Sequence, residues 1–119
     1  MLVRQNRLRL GRDIDRVMSR GRYCAGSGLY AKVLTKPAAE TRLVVVVGKK
    51  VSKKAVTRNR IRRRICGYFE RIWETVGPGY DIVIVIREDL SDLPTPELET
   101  RLKQLARITG LTAGGNTHV

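Results

Sequence analysis

Residues 49–76 read KKVSKKAVTRNRIRRRICGYFERIWETV and are the segment most informative about the fold of the chain. Its second half carries apolar residues at every third or fourth position, which is the spacing of one buried face of an α-helix. These residues are Ile61, Ile65, Tyr68 or Phe69, Ile72 or Trp73, and Val76. The pattern therefore predicts a helix that packs one stripe against a hydrophobic core.

The first half of the same stretch is strongly basic. Residues 49–64 hold nine of the chain's 24 Lys and Arg residues and no acidic residue. At about 100° per residue, Arg60, Arg63 and Arg64 fall on the side of the helix away from the apolar stripe. A merely solvated helix face usually mixes both signs of charge, but the first acid after Arg64 is Glu70. This one-signed surface predicts binding to a nucleic-acid backbone.

The charge of the whole chain is unevenly distributed. Its formal net charge is +13 and its pI is about 10.7. Residues 1–79 contain 20 basic and 5 acidic residues, a balance of +15, whereas residues 80–119 contain 4 basic and 6 acidic residues, a balance of −2. The binding surface is therefore expected in the first two-thirds of the chain. Aromatic residues make up only 5% of the chain, which argues against a surface built mainly on base stacking.

Several functional classes are disfavoured by what the sequence lacks. Three arginines interrupt residues 1–9, and the longest aliphatic runs, 43–47 and 82–86, are only five residues long. We therefore expect a cytoplasmic protein with no membrane partner. Cys24 and Cys66 lie far apart and the chain has one histidine, so the spacing predicts two free thiols and no zinc site.

The remaining elements predict one compact mixed domain. A short helix over 12–20 is expected to end at Gly21 as a C-cap. Strands are predicted over 29–35, 42–47 and 80–86. A closing helix over 94–109 carries the apolar stripe Leu98, Leu102, Leu105 and Ile108. Because two continuous Val/Ile strands flank the basic helix, we expect them to form a parallel pair buried on both faces. Residues 1–109 are predicted to form one RNA-binding domain, and residues 110–119 a flexible tail.

The order of these elements, with two sequence motifs, resembles bacterial ribonuclease P proteins. The motifs are Asn6-Arg7-Leu8 and the run from Lys49-Lys50 to Arg58-Asn59-Arg60-Ile61-Arg62-Arg63. The resemblance covers about residues 4–109. It implies an α/β fold of the α+β sandwich type, with a small sheet of about four strands in the order α-β-β-β-α-β-α. It also implies that the parallel strand pair has a left-handed crossover, against the usual rule.

The function that this resemblance implies is that of a protein subunit in an endoribonuclease. The subunit binds a catalytic RNA and the 5′ leader of precursor tRNA, and it promotes magnesium-dependent removal of the leader. The chemistry and most of the Mg²⁺ are then expected on the RNA subunit, with no catalytic or metal-binding residue on this chain and no DNA partner.

The resemblance also implies two sets of site residues. In the set facing the catalytic RNA, the motif positions are Lys49, Lys50, Arg58, Asn59, Arg60, Arg62 and Arg63. The charge of the same segment adds Lys53, Lys54 and Arg64, although Lys53 and Lys54 stand where many members of the family have Gly-Asn. Lysine acts there as a point charge on phosphate and arginine as a planar fork. The set expected in a cleft for the single-stranded leader is Arg7, Arg9, Ile14, Met18, Tyr30 and Lys32.

Some of these assignments have simpler alternatives. Asn59 could be a capping or solvated amide in the first helical turn. Ile14 and Met18 stand where the family often has aromatic residues, and core packing is the simpler role for both. Tyr30 and Lys32 share one face of their strand but could be plain surface residues.

Two other functions are alternatives to that of a ribonuclease P subunit. A self-sufficient nuclease would need clustered carboxylates for metals or a positioned histidine, and the basic segment holds neither. Asp13 and Asp15 are more simply explained by the dipole at the start of a helix. A ribosomal or other structural RNA-binding protein is the stronger alternative, because small basic domains of this kind do not by themselves define a function.

Overall fold

The computed structural model describes residues 6–9, 11–37 and 39–112. Three helices and four strands follow one another in the predicted order α-β-β-β-α-β-α. Their bounds are α1 Gly11–Arg20, β1 Arg22–Ala25, β2 Leu29–Thr35, β3 Arg42–Val46, α2 Ala55–Arg71, β4 Tyr80–Ile86 and α3 Thr95–Thr109. A short 3-10 helix, Trp73–Thr75, follows α2. The mixed α+β fold class predicted from the sequence is confirmed.

The four strands form one sheet in the spatial order β1-β2-β4-β3. β3 and β4 are parallel, as predicted from their continuous Val/Ile runs, and α2 connects them. β2 pairs antiparallel with both β1 and β4. The handedness of the β3–α2–β4 crossover stays a prediction. The sequence pattern did not predict β1. Only Cys24 of its four residues is buried, so the segment lacks the alternation of buried and exposed residues that is typical of a strand.

The sheet has two differently covered faces. α2 and α3 cover one face, and the main core forms between them and inward residues such as Ala31, Val45 and Ile84. α1 packs on the other face, where Val17 contacts a smaller cluster around Leu8 and Val83. Because α1 has only ten residues, part of this second face is left open to solvent.

The apolar stripe of α2 is confirmed over most of its length. Ile61, Ile65, Tyr68 and Phe69 are all buried. The α-helix itself ends at Arg71, however, so Trp73 and Val76 reach the core from the 3-10 helix and the residue after it.

α1 and α3 end where the sequence predicts, at Arg20 and Thr109, but the conformation and packing near these ends differ from the expectation. Gly21 ends α1, but for reasons of space rather than a left-handed conformation, since a Cβ there would lie 2.5 Å from the backbone oxygen of Val17. In α3 the predicted core residue Ile108 is 52% exposed. Gly110, with φ of 81°, ends that helix and returns the chain so that Leu111 becomes buried.

The first three residues of the predicted flexible tail, 110–112, contact the rest of the domain. The backbone N–H of Gly77 donates to the oxygen of Leu111 at 2.8 Å, and Thr112 pairs with Val76. The rest of the predicted tail, residues 113–119, lies outside the described residues.

Candidate nucleic-acid interface

The N-terminus of α2 is the electrostatic centre of the basic surface. Lys54 is its cap residue and makes no side-chain capping hydrogen bond, and the first turn contains no acid. A helix N-terminus attracts anions, so placing Lys53 and Lys54 there is unfavourable until an anion binds. The guanidinium of Arg58 donates to the backbone oxygens of Ser52 and Lys53 at 2.9 and 3.0 Å, and so holds the preceding loop against the helix. The arrangement is suited to a phosphate.

The ten residues predicted to face RNA lie together on this loop and on the first half of α2. Their exposure divides them into two groups. The exposed ones are Lys49, Lys50, Lys53, Lys54, Asn59, Arg60 and Arg63, and the half-buried ones are Arg58, Arg62 and Arg64. Six exposed cations on one continuous surface can therefore reach a polyanion without any rearrangement of the fold.

Arg64 binds backbone oxygens of a distant loop, a structural role that the sequence did not indicate. Its guanidinium donates to the backbone oxygens of Leu90, Ser91 and Leu93 at 2.8, 3.0 and 2.6 Å. Arg60 adds a bond from Nε to the Ser91 oxygen at 2.9 Å. These two arginines hold the loop between β4 and α3 against α2. An RNA contact for Arg64 stays a prediction, whereas its contact with this loop is observed.

Arg63 and Arg64 form a matched pair for a stability experiment. Arg64→Met should lower the free energy of unfolding by about 1–3 kcal/mol, because the loop that contains the buried Leu90 and Ser91 loses three hydrogen bonds from one guanidinium. Arg63→Met, on an exposed position of the same helix, should change it by less than about 0.5 kcal/mol. Urea unfolding measures both. Equal losses in the two variants would contradict the loop-holding role of Arg64.

A groove lies at the outer edge of β3. The segment around Arg7 runs parallel to β3, with the N–H of Leu8 donating to the oxygen of Leu43 at 3.0 Å, and the start of α2 forms the opposite wall. The groove has a volume of about 450 Å³. Its lining is Arg7, Leu8, Arg9, Leu43, Val44, Val45, Asn59, Arg62, Arg63 and Cys66.

This groove divides the predicted leader set. Arg7 and Arg9 line it together with α2 residues from the RNA-binding set. Since β3 and β4 lie between the Arg7 segment and β2, about three strand spacings, or roughly 14 Å, separate them from Tyr30 and Lys32. The six residues predicted to share one leader cleft therefore lie in two places.

The second place is the open part of the sheet face that α1 partly covers. Tyr30 packs against Tyr23 of β1, with ring centroids 5.1 Å apart. Lys32 Nζ lies 5.9 Å from the centre of the Tyr23 ring, and the Arg87 guanidinium lies 5.4 Å from that of Tyr30. Two rings with two cations beside them form a surface on which unpaired bases can stack.

Tyr23 and Arg87 were not identified from the sequence. Tyr23 lies on the strand that the pattern did not reveal, and its pairing with Lys32 follows from the β1–β2 register. Ile14 and Met18 are half-buried and pack against the cluster under α1, in agreement with the simpler interpretation of core packing.

A buried ionic cluster fixes α1 on this face. Asp81 is 2% exposed, and Arg42 donates to its two oxygens at 3.0 and 2.7 Å. Arg42 also reaches Asp13 of α1 at 3.5 Å, and Lys36 lies 3.3 Å from Asp81. The hydrogen bond to Asp81 raises the pKa of Arg42 against the opposing effect of burial. The cluster ties α1 to β3 and β4 at one end of the open face.

Over residues 6–9, 11–37 and 39–112, no group of three or more His, Cys, Asp or Glu residues could hold a metal ion. In that same part of the chain, no helix combines the length and apolar character needed to cross a bilayer.

The fold and this cationic surface define a small α+β protein suited to binding a polyanion. Residues 2–110 match the family described as Ribonuclease P. The chain is also 36% identical over 107 residues to the ribonuclease P protein component of Picosynechococcus sp., with 90% of each chain covered. The chain therefore belongs to the ribonuclease P protein family.

Solved structures agree in fold. The ribonuclease P protein of Staphylococcus aureus superposes with a TM-score of 0.80 at 23% identity, covering 90% of this chain and 97% of the other. That of Thermotoga maritima gives a TM-score of 0.76 at 26% identity, covering 88% and 96%. As a family member, the chain is a subunit of a tRNA-processing ribonucleoprotein with an RNA partner, and the catalytic role does not lie on this chain. This membership decides against the ribosomal alternative and the self-sufficient nuclease.

Proposed function

We propose that this chain binds the catalytic RNA of ribonuclease P and the 5′ leader of precursor tRNA, and thereby promotes magnesium-dependent removal of the leader in the cytoplasm. The observation that carries the proposal is the uncapped N-terminus of α2 surrounded by basic residues. Such a helix end lowers its own electrostatic energy by binding phosphates. The Mg²⁺ ions are held mainly by the RNA subunit.

The two surfaces differ in chemistry, and they bind two different RNAs, the catalytic RNA and the leader of precursor tRNA. The loop and α2, with residues such as Lys53 and Arg63, present charge to the phosphates of the catalytic RNA. The open sheet face offers rings as well as charge, at Tyr23 and Tyr30, and so suits the unpaired bases of a leader.

Reconstitution tests the proposal. The purified protein should not cleave precursor tRNA by itself. When it is added to the catalytic RNA, cleavage should proceed at a lower Mg²⁺ concentration, because the protein's cations offset repulsion between two RNAs. An unchanged Mg²⁺ requirement on adding the protein would refute the proposed role.

The leader surface makes a more specific prediction. Replacing Tyr30 and Lys32 with Ala should weaken precursor tRNA binding to the holoenzyme by about tenfold, in line with the loss of one base-stacking contact. Binding of mature tRNA should stay almost unchanged, since it has no leader. Filter binding with both ligands measures the difference.

The matched control is Lys103→Ala, which removes one exposed charge from α3 on the other side of the sheet. It should affect neither ligand. If the Tyr30 and Lys32 changes weaken precursor and mature tRNA equally, the leader is not bound at this face.

A further inference from the structure

The groove beside β3 is apolar at its base, which binding to phosphates alone does not require. Leu8, Leu43 and Val45 are only 1%, 2% and 5% exposed, yet all three line it. Its volume of about 450 Å³ is in the range of small-molecule sites. A surface that contacted only the RNA backbone would need charge and no such concavity.

The rim of the same groove is cationic. Arg7, Arg9, Arg62 and Arg63 surround the apolar base, together with the amide of Asn59. An apolar slot with a cationic rim matches a single nucleotide, which has a flat base with apolar faces and a charged phosphate. Bases within a double helix are already stacked and paired, so the base that enters must be unpaired.

The polar groups of the rim are mainly donors. Arg62 Nη1 donates to Asn59 Oδ1, so this carbonyl oxygen already accepts a hydrogen bond, while the Asn59 amide and the arginines carry N–H groups. Among the bases, guanine presents two adjacent acceptors, O6 and N7, on one edge. Adenine presents N7 beside its N6 amino donor, so a donor-rich rim favours guanine over adenine.

We propose that the groove between Arg7–Arg9, β3 and α2 binds one unpaired nucleotide of the RNA partner, preferably a guanosine, with its base on the apolar floor and its phosphate on the arginine rim. The inference rests on the proposed RNA-binding function. It adds a base-specific contact to a surface that otherwise binds by charge, and this contact would set the register of the protein on the RNA.

Cys66 provides a native reporter for this site. It is free, half-buried and on the groove wall, whereas the other free cysteine, Cys24, is buried in the core. Burial raises the pKa of the Cys66 thiol, with Arg62 acting in the opposite direction. Slow alkylation by iodoacetamide at a fixed mildly alkaline pH therefore follows access to the groove at one position.

The experiment uses short RNAs of equal length and charge. One carries a single guanine with abasic riboses elsewhere, one carries a single adenine, and one is fully abasic. The guanine RNA should bind about tenfold more tightly than the abasic RNA, the usual effect of one stacked base, and should slow alkylation of Cys66. Equal affinity and equal protection by guanine and abasic RNA would overturn the proposal.

A variant tests the role of the amide. Asn59→Asp removes the donor and should abolish the preference for guanine over adenine. Gln104→Glu, an exposed site on α3, makes the same change of charge away from the groove and should leave the preference intact. A guanine preference that survives Asn59→Asp would overturn the assignment.

Binding of the full catalytic RNA separates the two levels of inference. If that RNA binds tightly and with strong salt dependence while guanine makes no difference, the groove proposal fails and the proposed function stands. If the catalytic RNA also fails to bind, the proposed function itself is refuted.

Discussion

RNA affinity should fall by about 10²- to 10⁵-fold when monovalent salt rises from about 50 to about 200 mM. The structure supports this expectation because six cations of the basic loop and α2 are exposed together, with Arg58 and Arg62 half-buried beside them. Each phosphate that they neutralise releases condensed counterions. About six to nine such contacts give a log–log slope of roughly −4 to −8.

The slope can be measured by fluorescence titration of the catalytic RNA at several salt concentrations. Lys53→Gln and Lys54→Gln should each make the slope shallower by about 1. Lys103→Gln, on the exposed side of α3, is the control and should not change it. A wild-type slope shallower than about −2 would show that charge is not the main source of affinity.

Arg42→Met should lower the free energy of unfolding by about 3 kcal/mol or more, because it leaves a buried carboxylate without its main partner. Asp81 is 2% exposed and would keep only Lys36, at 3.3 Å. The matched control is Arg71→Met, which breaks an ion pair with Glu99 on the surface, where the two side chains are 60% and 41% exposed. Exposed pairs of this kind contribute about 0–1 kcal/mol.

Urea unfolding of both variants at neutral pH measures this difference. Because the hydrogen bond to Asp81 raises the pKa of Arg42, the stability that it contributes is fully present below the unfolded pKa and would be lost only at still higher pH. The contribution should therefore be constant across the neutral and mildly alkaline range. If the two variants lose equally little stability, Asp81 is satisfied without Arg42 and the ionic cluster does not fix α1.

Local patterns in the sequence were sufficient for the elements that have a strong periodicity. The stripe from Ile61 to Phe69 predicted α2, and the continuous apolar runs predicted β4 and most of β3. The one-signed charge of residues 49–64 likewise predicted the exposed basic surface of this loop and helix. These features depend on neighbours within a turn or a strand, so sequence spacing contains the information needed to find them.

Other features depended on contacts between distant parts of the chain. Arg64 was placed on the charged face of α2, but the carbonyls that it binds lie 26 to 29 residues further along. Arg7 and Arg9 were assigned to the leader, and only the pairing of their segment with the outer edge of β3 put them beside α2.

The mixed fold, its strongly periodic elements and the one-signed basic charge of α2 follow from the sequence alone, and polyanion binding by α2 stays a prediction. Only the tertiary structure shows which arginines bind backbone oxygens of a distant loop and where the two predicted surfaces lie. It also shows that Tyr23 and Arg87 contact Tyr30. The physical reason is that spacing along one helix or strand fixes which side a residue faces. The residues that this side contacts are set by strand order and register, and these arise only when remote segments pack together.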